Sequence, residues 1–264
     1  MKRFLILTKA IFLMHLRNGF VLFWNFAFPI LLMLIYGVVM SQYMDYMTPG
    51  VIVLNALSFG LVGSSNMMLE MREKSVLRRL QASPLPAGQL IGSYLLVNLL
   101  IGILQSTLII IAGVLLYKVP VSGLSLALAY PMILGVLLYK VPVSGLSLAL
   151  AYPMILVGLL AFMALGGIIS GVAAKAGTAT AVGMTIYSSL MFISDMVFPL
   201  DMLPNWLRNV VPYLPAYPVV QLVRSALLEA TLDPKWLTHL FLLAVYGIGA
   251  TFIAAKLFRW EPKA

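Results

Sequence analysis

Apolar runs long enough to cross a bilayer recur along this chain, and they constrain its fold more than any motif does. Segments 20–41, 51–69, 91–117, 146–173, 179–198 and 236–257 each read as a span. About 20 helical residues cover the roughly 30 Å of hydrocarbon in a membrane. Only helices and closed barrels satisfy the backbone inside lipid, and barrel strands need only about 9–11 residues. The runs therefore predict an all-α membrane protein with six transmembrane helices in a single domain over 1–264. Composition agrees: 62% of residues are hydrophobic and 9% charged, against about 25% charged in a soluble domain.

The net charge of +9 does not call for nucleic acid, because the basic residues gather at span ends. With six spans and both termini in the cytoplasm, 12 of the 17 lysines and arginines face inward, as the positive-inside rule requires. Lys118, Lys140, Arg208, Arg224 and Lys235 fall outside. A multi-pass protein of the cell (plasma) membrane follows, in contact with lipid. Segment 1–19 has a basic start and an apolar run, but Lys9, His15 and Arg17 interrupt it and no small-residue cleavage site closes it. It reads as an uncleaved elbow helix along the inner interface. Pro29 is expected to kink the first span, and residues 42–50 to form a polar outer turn.

A 22-residue sequence, GVLLYKVPVSGLSLALAYPMIL, occupies 113–134 and returns unchanged at 135–156. Two undiverged copies do not make a solenoid. Between the two KVPVSG turns, residues 124–139 would reach about 24 Å as a helix, just short of a span. A crossing there would invert everything downstream and expose Lys175 and the basic C-terminal tail outward. The extra copy is therefore expected to be re-entrant or interfacial on the outer side.

Segment 199–234 holds Pro204, Pro212, Pro215 and Pro218 with Trp206, Tyr213 and Tyr217. It is too broken for a span and too apolar for a solvated loop. Two short re-entrant helices in the outer leaflet fit it, with the rings at headgroup level; a loop with belt aromatics is the alternative. Catalytic signatures are missing: there is no phosphate loop, no cysteine, no histidine pair for a metal and no nucleophile elbow. The chain is not expected to be an enzyme or to bind a cofactor. Asp195, near the outer end of the fifth run, is a candidate for the substrate path or for simple hydration at the interface.

Segment 70–89, EMREKSVLRRLQASPLPAGQ, is the one strongly charged stretch between spans. Its first ten positions hold Glu70, Arg72, Glu73, Lys74, Arg78 and Arg79. Acidic residues at its start and basic ones at its end suit a helix macrodipole. Glu70 and Lys74 form an i,i+4 pair worth about 0.2–0.5 kcal/mol, and Val76, Leu77 and Leu80 supply an apolar side. Pro84 is expected to end this helix near Ala82. By its physics alone the segment is either a topogenic inner loop or a surface on which a partner pushes.

Residues 70–85, EMREKSVLRRLQASPL, resemble the E-x-R-E-K-G-x-L-x-R-L-x-x-[ST]-P-L pattern of permease subunits of type-2 ABC transporters. Ser75 stands where the pattern has glycine, a departure not expected to break the helix. Phe198, Pro199, Leu203, Pro204 and Trp206 resemble that family's F-P-x-x-x-L-P-x-W-L entry to its outer re-entrant helices. Asp195 stands where relatives often have a small residue, so no role is carried over to it. The resemblance covers nearly the whole chain except the extra repeat, and leans to the drug- and lipophile-exporting branch. It implies that residues 70–80 form a cytoplasmic coupling helix between spans 2 and 3, docked on a separate ATP-binding subunit that holds ATP-Mg. Arg72, Lys74, Arg78 and Arg79 would touch that subunit or anionic headgroups, Leu80 would lie on the docking helix, and Glu70 and Glu73 would fix the helix to span 2. A second permease copy or a homologue would complete the exporter.

A self-powered secondary carrier, or a non-transporting membrane anchor or assembly factor, are the competing readings. Neither a buried mid-membrane carboxylate nor a broken central helix favours the carrier. Deleting 113–134 is expected to leave insertion, orientation and partner binding intact; a C-terminus found outside after that deletion would overturn the parity argument.

Overall fold

The computed structural model describes residues 2–17, 19–39, 44–77, 87–117, 145–229 and 231–258. Helices make up nearly all of them, and no strand occurs among them. Helix α1 is Lys2–Arg17. Helix α2 covers 19–39 as Gly19–Leu22, a π-turn at Phe23–Ala27, and Phe28–Val39. Helix α3 covers 44–73 as Met44–Ser58, a π-turn at Phe59–Gly63, and Ser64–Glu73. Then follow α4 (Ala87–Tyr117), α5 (Gly145–Val172) and α6 (Ala176–Ile193). Beyond α6 come the short α7 (Asn205–Arg208), α8 (Ala216–Arg224, continued by a π-turn Ser225–Glu229) and α9 (Trp236–Leu257).

Five of these helices are long and apolar enough to cross a membrane: those in α3, α4, α5, α6 and α9. Phe28–Val39 of α2 is a shorter apolar helix. The expected polar turn at 42–50 is corrected from Met44 onward, because helix α3 already begins there and carries Pro49 inside it. As the sixth residue of that helix, Pro49 has no N–H to donate to the Asp45 carbonyl four residues back. In α2, Pro29 follows the π-turn directly. A proline ring clashes with the carbonyl four residues back, and a widened turn at that point relieves the clash. The extra repeat copy lies mostly outside the described residues.

Helix α3 is the spine. Its residues from Val51 to Leu57 are almost all buried, and it packs on α2, α4, α5, α6 and α8. Its crossing with α5 is close because glycine faces glycine. A Cβ at Gly166 would overlap the Gly60 carbonyl oxygen and the Ser64 hydroxyl, and one at Gly60 would overlap Phe162. Small residues at such a seam let backbones approach where lipid gives no hydrophobic drive. The Ser64 hydroxyl turns back to the Gly60 carbonyl, which a π-turn leaves accessible.

The outer faces of α6 and α9 stay largely exposed and apolar, with Val182, Ile186, Phe241, Ile248 and Phe252 outward, as lipid contact requires. Helix α1 lies against α4, where the Ser93 hydroxyl donates to the Phe4 carbonyl. Ile11 and His15 of α1 turn inward, and the His15 ring meets Phe59 of the α3 π-turn at 6.2 Å. Burial lowers the His15 pKa, partly offset by its bond to the Ile11 carbonyl.

Candidate functional site

The C-terminal end of α3 carries the charged segment, and there the expected single helix is corrected. Helix α3 stops at Glu73, and Ser75 adopts φ 56. The Lys74 amide donates to the Glu70 carbonyl and the Ser75 amide to the Arg72 carbonyl. Val76 and Leu77 are helical again, so a turn at Lys74 and Ser75 divides the segment. Positive φ is where glycine ends helices without a Cβ penalty. That is the physical reason for glycine in the pattern, and Ser75 adopts the conformation in spite of its side chain. Residues 78–86, with Arg78, Arg79, Leu80 and the stop expected near Ala82, lie outside the described residues.

The predicted residues on the near side of the turn point in different directions. Glu70 accepts from Lys74 at 2.9 Å on the exposed face, and that bond raises the Lys74 pKa. Arg72 is buried, and its guanidinium donates to the Ser170 carbonyl in the last turn of α5 at 3.0 Å. Glu73 accepts from the Ala176 amide, the first residue of α6, at 2.8 Å. Met71 and Leu77 pack with Leu90, flanked by Leu7, Val76 and Phe258. The turn thus presents Glu73, Lys74 and Ser75 to solvent while apolar side chains tie it to α1, α4 and the end of the chain.

The N-terminal end of α3 meets Asp195, two residues past α6, at φ 63. It is buried, with 4% of its surface exposed. One carboxylate oxygen accepts from the Tyr46 hydroxyl and from the Leu200 amide at 2.9 Å. The other accepts from Gln221 at 2.7 Å and from Arg224 at 2.6 Å. Arg224 also donates to the Asp195 carbonyl at 2.8 Å and lies 3.9 Å above the Tyr46 ring. A carboxylate has about four acceptor sites, and all are used. Burial, helped by Asp195 and Asp233, raises the pKa of the neighbouring Tyr217.

Sequence reasoning singled out Asp195 but missed Tyr46, Gln221 and Arg224. The available signal was Gln221 and Arg224 at i and i+3, which share one face of an otherwise apolar helix. In the motif at 198–207, Pro199 opens the 3-10 turn Leu200–Met202 and Pro204 caps α7. Phe198 stacks on Phe192 at 6.1 Å, Leu203 is half-buried, and Trp206 is 70% exposed. Between α6 and α9 lie α7 and α8, and α8 is mostly buried against α3, α5 and α9.

A cavity of about 140 Å³ opens between α2, α3 and α6. Phe28, Pro29, Leu32, Val51, Leu54 and Met184 line it, with Asn55, Ser58 and Tyr187 as its polar members. It sits directly after the π-turn of α2 and directly before that of α3, and π-turns recur at functional sites. No cluster able to hold a metal occurs among the described residues.

Several long apolar helices around a buried spine, with a charged turn at one end, define a multi-pass membrane protein. Residues 2–228 match the family described as ABC-2 type transporter, and the chain belongs to that family as a type-2 ABC transporter permease. No curated protein matches it.

Two substitutions test the two helix ends. Ser75→Gly is expected to stabilise the protein by about 1 kcal/mol, and Ser75→Val to destabilise it by a similar amount. Detergent unfolding midpoints check this, and the reverse order would refute the left-handed turn. Asp195→Ala is expected to cost about 3–5 kcal/mol by stranding Arg224. Adding Arg224→Met should recover part of that loss, whereas strictly additive costs would refute the buried pair.

Proposed function

We propose that this chain is the membrane-spanning subunit of an ATP-driven exporter in the cell membrane, powered through the inner end of α3. The six-span layout takes α2 as the first span and α1 as an elbow on the inner leaflet, with both termini cytoplasmic. Segment 70–89, including Glu70, Lys74, Arg78, Arg79 and Leu80, is the coupling surface for a separate ATP-binding subunit that holds ATP-Mg. The observation that carries this reading is the exposed charged turn at 73–75, set on a spine that contacts most of the bundle. A partner pressing there acts on α3 directly, and through it on the cavity between α2, α3 and α6.

That cavity has no charged side chain in its lining. Apolar walls with a few polar groups suit an amphiphilic or lipophilic cargo. Its volume is well below the roughly 300–1,000 Å³ of a full ligand site, so a second permease copy or a homologue is needed to complete the path. Helices α7 and α8 form the outer re-entrant pair, with Trp206 and Tyr213 at the headgroups. Asp195 acts in this reading as a structural node, since its acceptor sites are already engaged. A self-powered carrier would need a carboxylate free to exchange protons or ions along the path.

Reversing Arg78 and Arg79 to Glu is expected to weaken binding of the ATP-binding subunit by about tenfold or more and to abolish export. Co-purification with that subunit and vesicle transport measure the two effects. Unchanged binding together with unchanged export would refute the coupling reading.

A further inference from the structure

The α5–α6 hairpin turns in three residues, 173–175, and so sets a helix C-terminus beside a helix N-terminus. Carbonyls crowd the first end and amides the second, leaving partial negative and positive charge respectively. Neither end caps itself fully. The N-cap of α6 is Lys175, which makes no side-chain cap. Both needs are met from α3 by two consecutive residues. Arg72 donates to Ser170 at the negative end, and Glu73 accepts from Ala176 at the positive end. Neighbouring side chains on a helix diverge by about 100°, which lets one dipeptide reach two helix ends.

We infer that Arg72 and Glu73 are positioning residues that clamp the end of α3 to the α5–α6 hairpin, so that a push on the coupling turn moves α3, α5 and α6 together. The inference rests on the exporter reading above and adds the route the motion takes. Arg72 is buried at 3% exposure, so it works through α5 and not as a surface contact. The clamp also reaches α9. Gly171, next to Ser170, is so close to Leu257 in the last turn of α9 that a Cβ would overlap it. Helix α4 is outside the clamp and touches the turn through Leu90 and its apolar neighbours.

The test uses the full permease in lipid nanodiscs, with and without its ATP-binding subunit. Glu73→Gln keeps an acceptor oxygen for the Ala176 amide, and Glu73→Met removes it. In the permease alone, amide exchange at 176–179 is expected to rise about fivefold in Glu73→Met and to stay near wild type in Glu73→Gln. The chain has no cysteine, so Ser189→Cys, on the exposed face of α6, carries a single fluorophore. Its signal change on trapping the partner with ATP and vanadate should fall at least about fivefold in Glu73→Met and be largely kept in Glu73→Gln. Arg72→Lys should likewise keep more of the signal than Arg72→Met; because Arg72 is buried and its loss can prevent folding, the Glu73 pair decides.

Equal exchange in all Glu73 variants would overturn the clamp, whatever the partner does. Raised exchange with an undiminished signal would overturn the transmission route. Failure of the wild-type chain to bind the ATP-binding subunit, measured separately by co-purification, would overturn the exporter reading and this route with it.

Discussion

The crossing of α3 and α5 at Gly60 and Gly166 is the contact on which the rest of the molecule depends. Inside a bilayer, apolar side chains gain nothing by leaving lipid for one another, so close association rests on packing and on hydrogen bonds. Two facing glycines let the backbones meet, and Ser64 closes the polar account of the π-turn between them. With α3 held there, its two ends project to opposite sides of the bundle. Each end meets a charged device built from helix termini.

The devices are alike in physics. Helices α3 and α6 both end beside a non-glycine residue at positive φ, Ser75 and Asp195. Both turns are strained and both are held by neighbours, the first by Arg72 and Glu73 on the α5–α6 hairpin and the second by Tyr46, Gln221 and Arg224. A buried ion pair rarely adds net stability, because desolvation offsets the attraction, but breaking one is costly. The Asp195 node therefore specifies where α3, α6 and α8 sit more than it strengthens the fold. It joins the N-terminal turn of α3 to the α6–α7 connection and to α8.

Much of the architecture was legible in the sequence. The apolar runs located α4, α5 and α9 to within a few residues, and the prolines and aromatics of 199–234 announced a broken pair of helices there. The extent of α3 was misjudged, because Pro49 and the polar residues before it looked like a loop when they form the first turns of a helix. The break at Ser75 was also hidden. A serine at positive φ has no signature of its own, and only the glycine of the family pattern hints at it. Asp195 was visible as an isolated carboxylate, but its partners lie up to 149 residues away, beyond the reach of any local pattern.

The sequence by itself determined that the chain is helical, that it is built for lipid, and that its charges are kept out of the middle of its apolar runs. Those properties follow from the bilayer, which rejects unpaired backbone groups and unpaired charges wherever they occur in a chain. Tertiary structure decided which of those charges remain at the surface. Arg72 and Arg224 are drawn inside because a helix terminus and a carboxylate, brought to them by distant parts of the chain, give them partners there. Lys74 and Glu70 pair with each other at the surface, so they stay on the outside.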